Sequence, residues 1–469
     1  MPLHPTRRQI MQGAGVLAGA LLAGPMRASS PLLRVQSRQI EVMRRAATVY
    51  GITGPGGGHG IIGRGGERFA GEILNETDEG LALHFHGQVR APIEADRARP
   101  GGGLLEPGRA DTVDFPLTPG THWMHSHSLS EQLLLAAPMI GREAGAPQMA
   151  EAVVMLHDFS FTPPAELLEA LGGADAHGAM AMGGTGTDHA AMGHDMAAMG
   201  AGMTHANDIA YDAFLANDRT LADPEIIAVE PGEEIRLRII NGATATGFWI
   251  RTGQLAAQVV AVDGNPCLPV TGADFPLAQG QRIDLILSIP REGGAFAVFA
   301  QVEDSLRRTG VILASAGASV ARLPDEAEAK VGFLDLTLDQ ALAAAAPLAP
   351  ATGAVQHHLM LGQDAGYVWT INGQRHGAHV PLTARAGQRV ELMFMNPSMM
   401  MHPMHLHGHH FQVVEINGWR FQGPMRDTVI VPPMAMVTVA FDAAPGQWLL
   451  HCHHLYHMAT GMMTELHVA

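Results

Sequence analysis

Apolar and polar positions alternate with a period of two along most of the chain, which is the signature of β-strands with one buried face. Three stretches share a fuller pattern: residues 66–75, 232–241 and 387–396. Each opens on Gly and a polar pair, continues as an alternating strand, and closes on Asn at a turn. A later strand recurs as well, at 109–117, 281–289 and 435–441, each time after a turn containing Gly or Pro. The pattern predicts an all-β protein made of three copies of one antiparallel sandwich. The expected limits are 31–171, 208–330 and 331–469.

Residues 172–207, between the first two copies, break the pattern. They hold Met180, Met182, Met192, Met196, Met199 and Met203 with His177, His189, His194 and His205, in a background rich in Gly and Ala. Without strand periodicity or large apolar anchors the segment reads as a flexible loop, and its side chains suit soft metal ions. At the amino terminus, Arg7 and Arg8 precede a short run of small and apolar residues from Gly13 to Ala23. Residues 1–30 therefore read as a twin-arginine export signal, and the expected location is the periplasm.

Composition narrows the function. A length of 469 residues fits three domains, 47% apolar residues allow a sizeable core, and only 16% charged residues exclude disorder of the whole chain. The formal charge of −16 argues against a nucleic-acid partner. No apolar run approaches the roughly 20 residues of a membrane span. The chain has 26 His and 27 Met but only 2 Cys, a bias toward copper ligands that leaves no disulfide framework.

The chemistry concentrates in four strings. These are His84-Phe85-His86-Gly87, His125-Ser126-His127, His402-Pro403-Met404-His405-Leu406-His407-Gly408 and His451-Cys452-His453-His454-Leu455-Tyr456-His457. In a strand, residues i and i+2 share a face, so each His-x-His pair aims two imidazoles at one place. Two pairs come from the first repeat and two from the third, which places one site between them. If His451 and His453 face one way, Cys452 faces the other and can hold a second metal. His457, Met462 and the upstream His402 complete two His, one Cys and a weak Met, the donor set of a blue-copper electron-transfer centre.

These strings resemble the four copper motifs of the multicopper oxidases, which are built from three cupredoxin domains. The resemblance covers nearly the whole chain and is nearest to bacterial laccase-like copper oxidases. It implies four copper ions. The type 1 ion would take His402, Cys452, His457 and Met462; the type 2 ion His84 and His405. The type 3 pair would share His86, His125, His127, His407, His451 and His453. His122, His409, His410 and His454 are expected as neighbours and Cys267 as a structural thiol.

The resemblance also implies one-electron oxidation of a donor coupled to reduction of dioxygen to water. It makes Asp96 the candidate proton relay, with Glu94 nearby. Met458 stands where relatives carry a second acid. The donor is expected to be cuprous ion, with Met399 and Met400 as its candidate site, although Ser398 stands where an Asp is usual. The alternatives are a phenol oxidase and, from another class, a copper-sequestering protein without catalysis. A zinc hydrolase fits less well, because it needs an open site with three protein ligands.

Overall fold

The computed structural model describes residues 32–54, 57–145, 149–181 and 207–469. The expected export signal and residues 182–206 of the Met/His segment lie outside the described residues.

The described strands form six sheets, two to each of three sandwiches. One three-strand unit recurs in each sandwich. In the first, Arg68–Asn75 pairs antiparallel with Ala110–Pro116 and parallel with Leu32–Val42. In the second, Glu234–Asn241 pairs antiparallel with Arg282–Ser288 and parallel with Ala150–Phe159. In the third, Arg389–Met395 pairs antiparallel with Met436–Asp442 and parallel with Val355–Asp364. The two recurring sequence strands are thus ladder partners in all three copies.

The recurrent Asn has one role throughout. Asn75, Asn241 and Asn396 are all buried. Each donates its side-chain N–H to two backbone carbonyls, and each Oδ1 accepts the N–H two residues on. Such side-chain turns satisfy buried backbone groups where a strand ends.

Two expected boundaries shift. Residues 150–159 fall within the first expected domain, yet their ladder partners are Ala213–Ala216 and Glu234–Asn241, so this strand belongs to the second sandwich. A parallel partner lies far along the chain and leaves no local signal. The helix Pro164–Ala181 also runs ten positions into the segment read as loop from residue 172.

The first sandwich packs Leu33, Val35, Ile73, Val113 and Phe115 of one sheet against Leu83, Phe85, Met124 and Met139 of the other. The cores of the second and third sandwiches merge into one cluster that includes Cys452 and Met462. A buried chain of charge crosses the junction of all three. Arg282 pairs with Asp427 and Asp263, Asp263 with Arg426, and Arg426 with Asp339. Arg282 Nε also donates to the carbonyl of Thr121 at 3.1 Å.

Candidate metal centre

Strand Gly446–Cys452 sits between His402–Leu406 and Met463–Val468, with Met404 opposite Cys452 and His405 opposite His451. Alternation turns the Cys452 side chain away from its neighbours. Its Sγ lies 3.7 Å from Nδ1 of His402 and 3.7 Å from Nδ1 of His457. Those two nitrogens are 3.2 Å apart. Met462 is fully buried and held by its main chain: Cys452 N–H donates to Met462 O at 3.0 Å, and Met462 N–H to His457 O at 2.9 Å. Trp369 stacks on His457 with ring centroids 4.0 Å apart. Burial pushes the Cys452 thiol above its ordinary value, so a thiolate there requires a cation beside it.

On the other face of the strand, eight imidazoles converge in groups of two, three and three. His84 Nε2 lies 3.2 Å from His405 Nε2. His451 Nε2 lies 3.1 Å from His127 Nε2 and 3.2 Å from His407 Nε2. The rings of His86, His125 and His453 stand 5.0–5.7 Å apart, centroid to centroid. Close approach is built into the backbone here. Gly87 has φ +80°, and a Cβ on it would meet His122 Nδ1 at 2.2 Å. Gly280 of the second sandwich has φ +78°, and a Cβ there would meet His453 Cδ2 at 2.6 Å.

The second nitrogen of most of these rings is spoken for, which fixes the tautomer. His84 Nδ1–H donates to Asp96 Oδ2 at 2.8 Å, and His407 Nδ1 is 3.3 Å from the same oxygen. His405 Nδ1–H donates to Asp427 O at 2.7 Å, and His86 Nε2–H to Asp427 Oδ1 at 3.0 Å. His451 Nδ1–H donates to Cys452 O at 2.9 Å. His125 Nδ1–H donates to Ser126 O at 3.0 Å and lies 3.3 Å from Glu131 Oε1.

Burial holds His86, His127, His402, His405, His451, His453 and His457 far below the ordinary imidazole value, and His84 at about 4 with His407 adding to the effect. These rings are neutral near pH 7, and with the Nδ1 protons of His84 and His405 given to Asp96 and Asp427, the Nε2 lone pairs of those two rings face each other at 3.2 Å. His86 Nδ1, His125 Nε2 and His453 Nε2 are buried without a hydrogen-bond partner among the described residues. Unpartnered buried nitrogens are costly unless a cation accepts them. Two nitrogens bound to one first-row ion at about 2.0–2.1 Å each lie roughly 3–4 Å apart. The all-imidazole and thiolate donor sets therefore fit copper.

The acids divide. Asp96 is buried; burial alone would raise its carboxyl, but His84 and His407 outweigh that and hold it far below the carboxylate range. Glu94 is exposed on the turn Ile93–Ala95. The turn aims it outward while Asp96 points in. Met458 is buried and apolar, so the position after His457 supplies no acid.

Several contacts at the site carry no sequence signal. Asp427 and Glu131 contact imidazoles of the cluster. Ser398 Oγ accepts from His402 Nε2 at 3.0 Å, and Asp208 Oδ2 lies 3.4 Å from His457 Nε2. Of the extra histidines, His409 is satisfied by backbone, its Nδ1–H donating to His407 O and its Nε2 accepting from Ala444 N–H. His454 stacks on His457 at 3.7 Å. Cys267 is a buried thiol pushed up to about 11 by burial.

Met399 and Met400 lie on the loop between Asn396 and His402, Met399 56% exposed and Met400 packed partly against the core.

Comparison with known proteins agrees with the geometry. Residues 182–317 and 349–469 each match a family model described as multicopper oxidase. The multicopper oxidase MmcO of Mycobacterium tuberculosis is 31% identical over 86% of this chain and 79% of its own. A copper resistance protein A homolog of Pseudomonas syringae pv. tomato is 24% identical over the whole of both chains. In fold, the crystal structure of Fet3p, a multicopper oxidase that functions in iron import, matches with a TM-score of 0.76 at 16% identity, over 93% of this chain and 90% of that one. Three cupredoxin-like sandwiches, these convergent donors and the similarity to MmcO place the chain in the multicopper oxidase family, as a copper-dependent oxidoreductase.

Proposed function

We propose that the protein oxidises cuprous ion and passes the electrons to dioxygen. Four cuprous ions and four protons per dioxygen give four cupric ions and two waters. The observation that carries this reading is the two-sided strand end. Cys452 Sγ faces His402 and His457, while its neighbours His451 and His453 face the imidazole cluster. The main chain of these residues is a covalent bridge of roughly 10–13 Å between the two donor sets.

We assign four copper ions. His402, Cys452, His457 and Met462 would hold the type 1 ion, and His84 and His405 the type 2 ion. His127, His407 and His451 would hold one type 3 ion, and His86, His125 and His453 the other. Copper bound there supplies the one-electron steps and the dioxygen chemistry. The chain supplies the rest. Asp96 orients His84 and His407 through their outer nitrogens and keeps a negative charge beside the cluster. Asp427 does the same for His86 and His405. The sandwiches bury both donor sets away from bulk water.

The preference for cuprous ion rests on methionines outside the core. Ladder register sets Met360, Met395 and Met436 side by side across three strands. Met360 is 49% and Met436 42% exposed. His358 and Met393 form the next row on the same face. The strand Arg389–Met395 then leads through Met399 and Met400 to His402. Methionine usually fills gaps in cores; thioethers at solvent-facing strand positions instead offer soft donors that select cuprous ion. The proposed location is the periplasm, on the strength of the Arg7-Arg8 signal.

Oxygen uptake by the copper-loaded protein tests the reading. Cuprous ion should be consumed well above the uncatalysed rate, at four per dioxygen, and faster than an electron-rich phenol. Phenol turnover with cuprous oxidation at background would reassign the protein as a phenol oxidase. Bound copper without oxygen uptake from any donor would make it a sequestering protein.

A further inference from the structure

A second cluster of metal-binding side chains lies in the third sandwich, apart from both donor sets above. Strand Met463–Val468 turns Glu465 and His467 to one face, two positions apart. The loop after Val368–Ile371 brings His376 and His379 over that face, anchored by His376 N–H donating to Gly461 O at 3.0 Å. Glu465 stands at the centre. Its Oε2 is 2.6 Å from His467 Nε2, and its Oε1 is 3.8 Å from His379 Nε2. The rings of His376 and His379 lie 5.1 Å apart, centroid to centroid, at 17°. The type 1 pair His402 and His457 has the same 5.1 Å spacing.

The decisive group is His379. Its side chain is only 8% exposed, and its Nε2 is buried with no hydrogen-bond partner among the described residues. It points toward a carboxylate that is too distant to accept from it. A surface ion pair between Glu465 and His467 accounts for neither the burial of His379 nor the stacked His376. Burial, with His379 beside it, also holds His376 below the ordinary imidazole value, so a lone pair is available near neutral pH.

We propose that His376, His379, Glu465 and His467 bind a divalent cation of borderline hardness, with cupric ion favoured. Three imidazoles and one carboxylate, with no thioether among them, suit a cupric rather than a cuprous ion, and cupric binds most tightly of the first-row divalent ions to such donors. Binding has a defined consequence in the loop. His379 Nδ1 now accepts from Gly377 N–H at 3.3 Å, so its ring proton sits on Nε2. A cation on Nε2 displaces that proton and requires Nδ1 to carry one, which releases the Gly377 amide.

The site does not depend on which donor the oxidase uses, and binding can be read without turnover. Fully copper-loaded protein is titrated with cupric ion, without reductant, and followed by equilibrium dialysis and electron paramagnetic resonance. The parent should take up one more equivalent than His379→Ala, with a nitrogen-coupled signal that the variant lacks. Glu465→Gln should weaken that equivalent at least tenfold while the blue absorption of the type 1 centre stays constant, which shows the fold intact. If both variants bind as many equivalents as the parent with the same affinity, the proposal is wrong. Zinc should compete for the site, and hydrogen exchange at the Gly377 amide should accelerate on loading; an amide unaffected by cation removes His379 from the ligand set.

Discussion

Asp208 Oδ2 lies 3.4 Å from Nε2 of His457, although the two residues are 249 positions apart. The Tyr367 hydroxyl donates to the same carboxylate oxygen. A negative charge therefore rests on the outer side of an imidazole whose inner nitrogen faces the Cys452 thiol. That charge favours the oxidised form of a copper ion held there. One charge acting over about 7 Å at an effective dielectric near 20 is worth roughly 2 kcal/mol before screening. Asp208→Asn should raise the type 1 reduction potential by about 40–90 mV, given about 59 mV per tenfold change for one electron. A redox titration that gives the same midpoint for both proteins would separate Asp208 from the tuning of this centre.

Cys452 faces His402 and His457, while the residues on either side of it face the imidazole cluster. Cys452→Ser should abolish the blue absorption of the copper-loaded protein and reduce oxygen uptake to background. The metal-free variant should still fold. A buried hydroxyl without a partner costs about 1–3 kcal/mol, which a denaturation curve would register as a modest loss. Retention of the blue band would contradict the placement of sulfur between His402 and His457.

Local periodicity made much of this arrangement legible in the sequence. Two imidazoles at i and i+2 must share a strand face, and a cysteine between them must take the other, so the two-sided geometry of residues 451–453 follows from spacing alone. The recurrent Asn was visible because its turn is local. The strand Ala150–Phe159 was misplaced because its parallel partner is distant. Asp208, Asp427 and Glu131 escaped for a related reason. Each is a single polar residue whose meaning comes from an imidazole brought to it by folding. Glu94 shows the limit of sequence proximity, being near Asp96 in the chain but turned to solvent by the bend at Ile93–Ala95.

That contrast between neighbouring acids gives a paired test. Asp96 contacts the outer nitrogens of His84 and His407, and loss of such a partner typically reduces activity or metal affinity 10–100-fold. Asp96→Asn should show that loss with the type 1 absorption unchanged. Glu94→Gln should leave kinetics within error of the parent. Equal effects of the two substitutions would mean that contact with the cluster is not what matters.

Arg282 holds the three sandwiches together electrically. It is fully buried, paired with Asp427 and Asp263, and bonded to the Thr121 carbonyl. Arg282→Met would leave Asp427 with a buried charge beside His86 and no cation. Breaking a buried pair in this way costs about 3–5 kcal/mol. The denaturation midpoint of the metal-free protein should fall accordingly; a shift under about 1 kcal/mol would show that the junction relaxes around the vacant charge.

Acid should destabilise the metal-free protein in a window set by its histidines. His84 titrates at about 4 in the folded chain, His409 at about 4 and His122 at about 3, against 6.5 for an ordinary imidazole; burial is the main cause in each case. Above pH 6.5 both folded and unfolded forms are neutral at these positions, so they add no pH dependence. Below it the unfolded chain takes up protons that the folded chain refuses, and stability falls as pH drops toward 4. Each such group contributes a slope of up to about 1.4 kcal/mol per pH unit. Asp96 adds to the loss only at the low end of this window, where an unfolded aspartate begins to take up protons that the folded carboxyl, held down by His84 and His407, still refuses. The melting temperature of the metal-free protein should be nearly level from pH 7 to 8 and drop steeply from 6 to 4.5. A flat profile across the lower range would mean that these imidazoles are solvated rather than buried, and with that the neutral donor cluster described above would be lost.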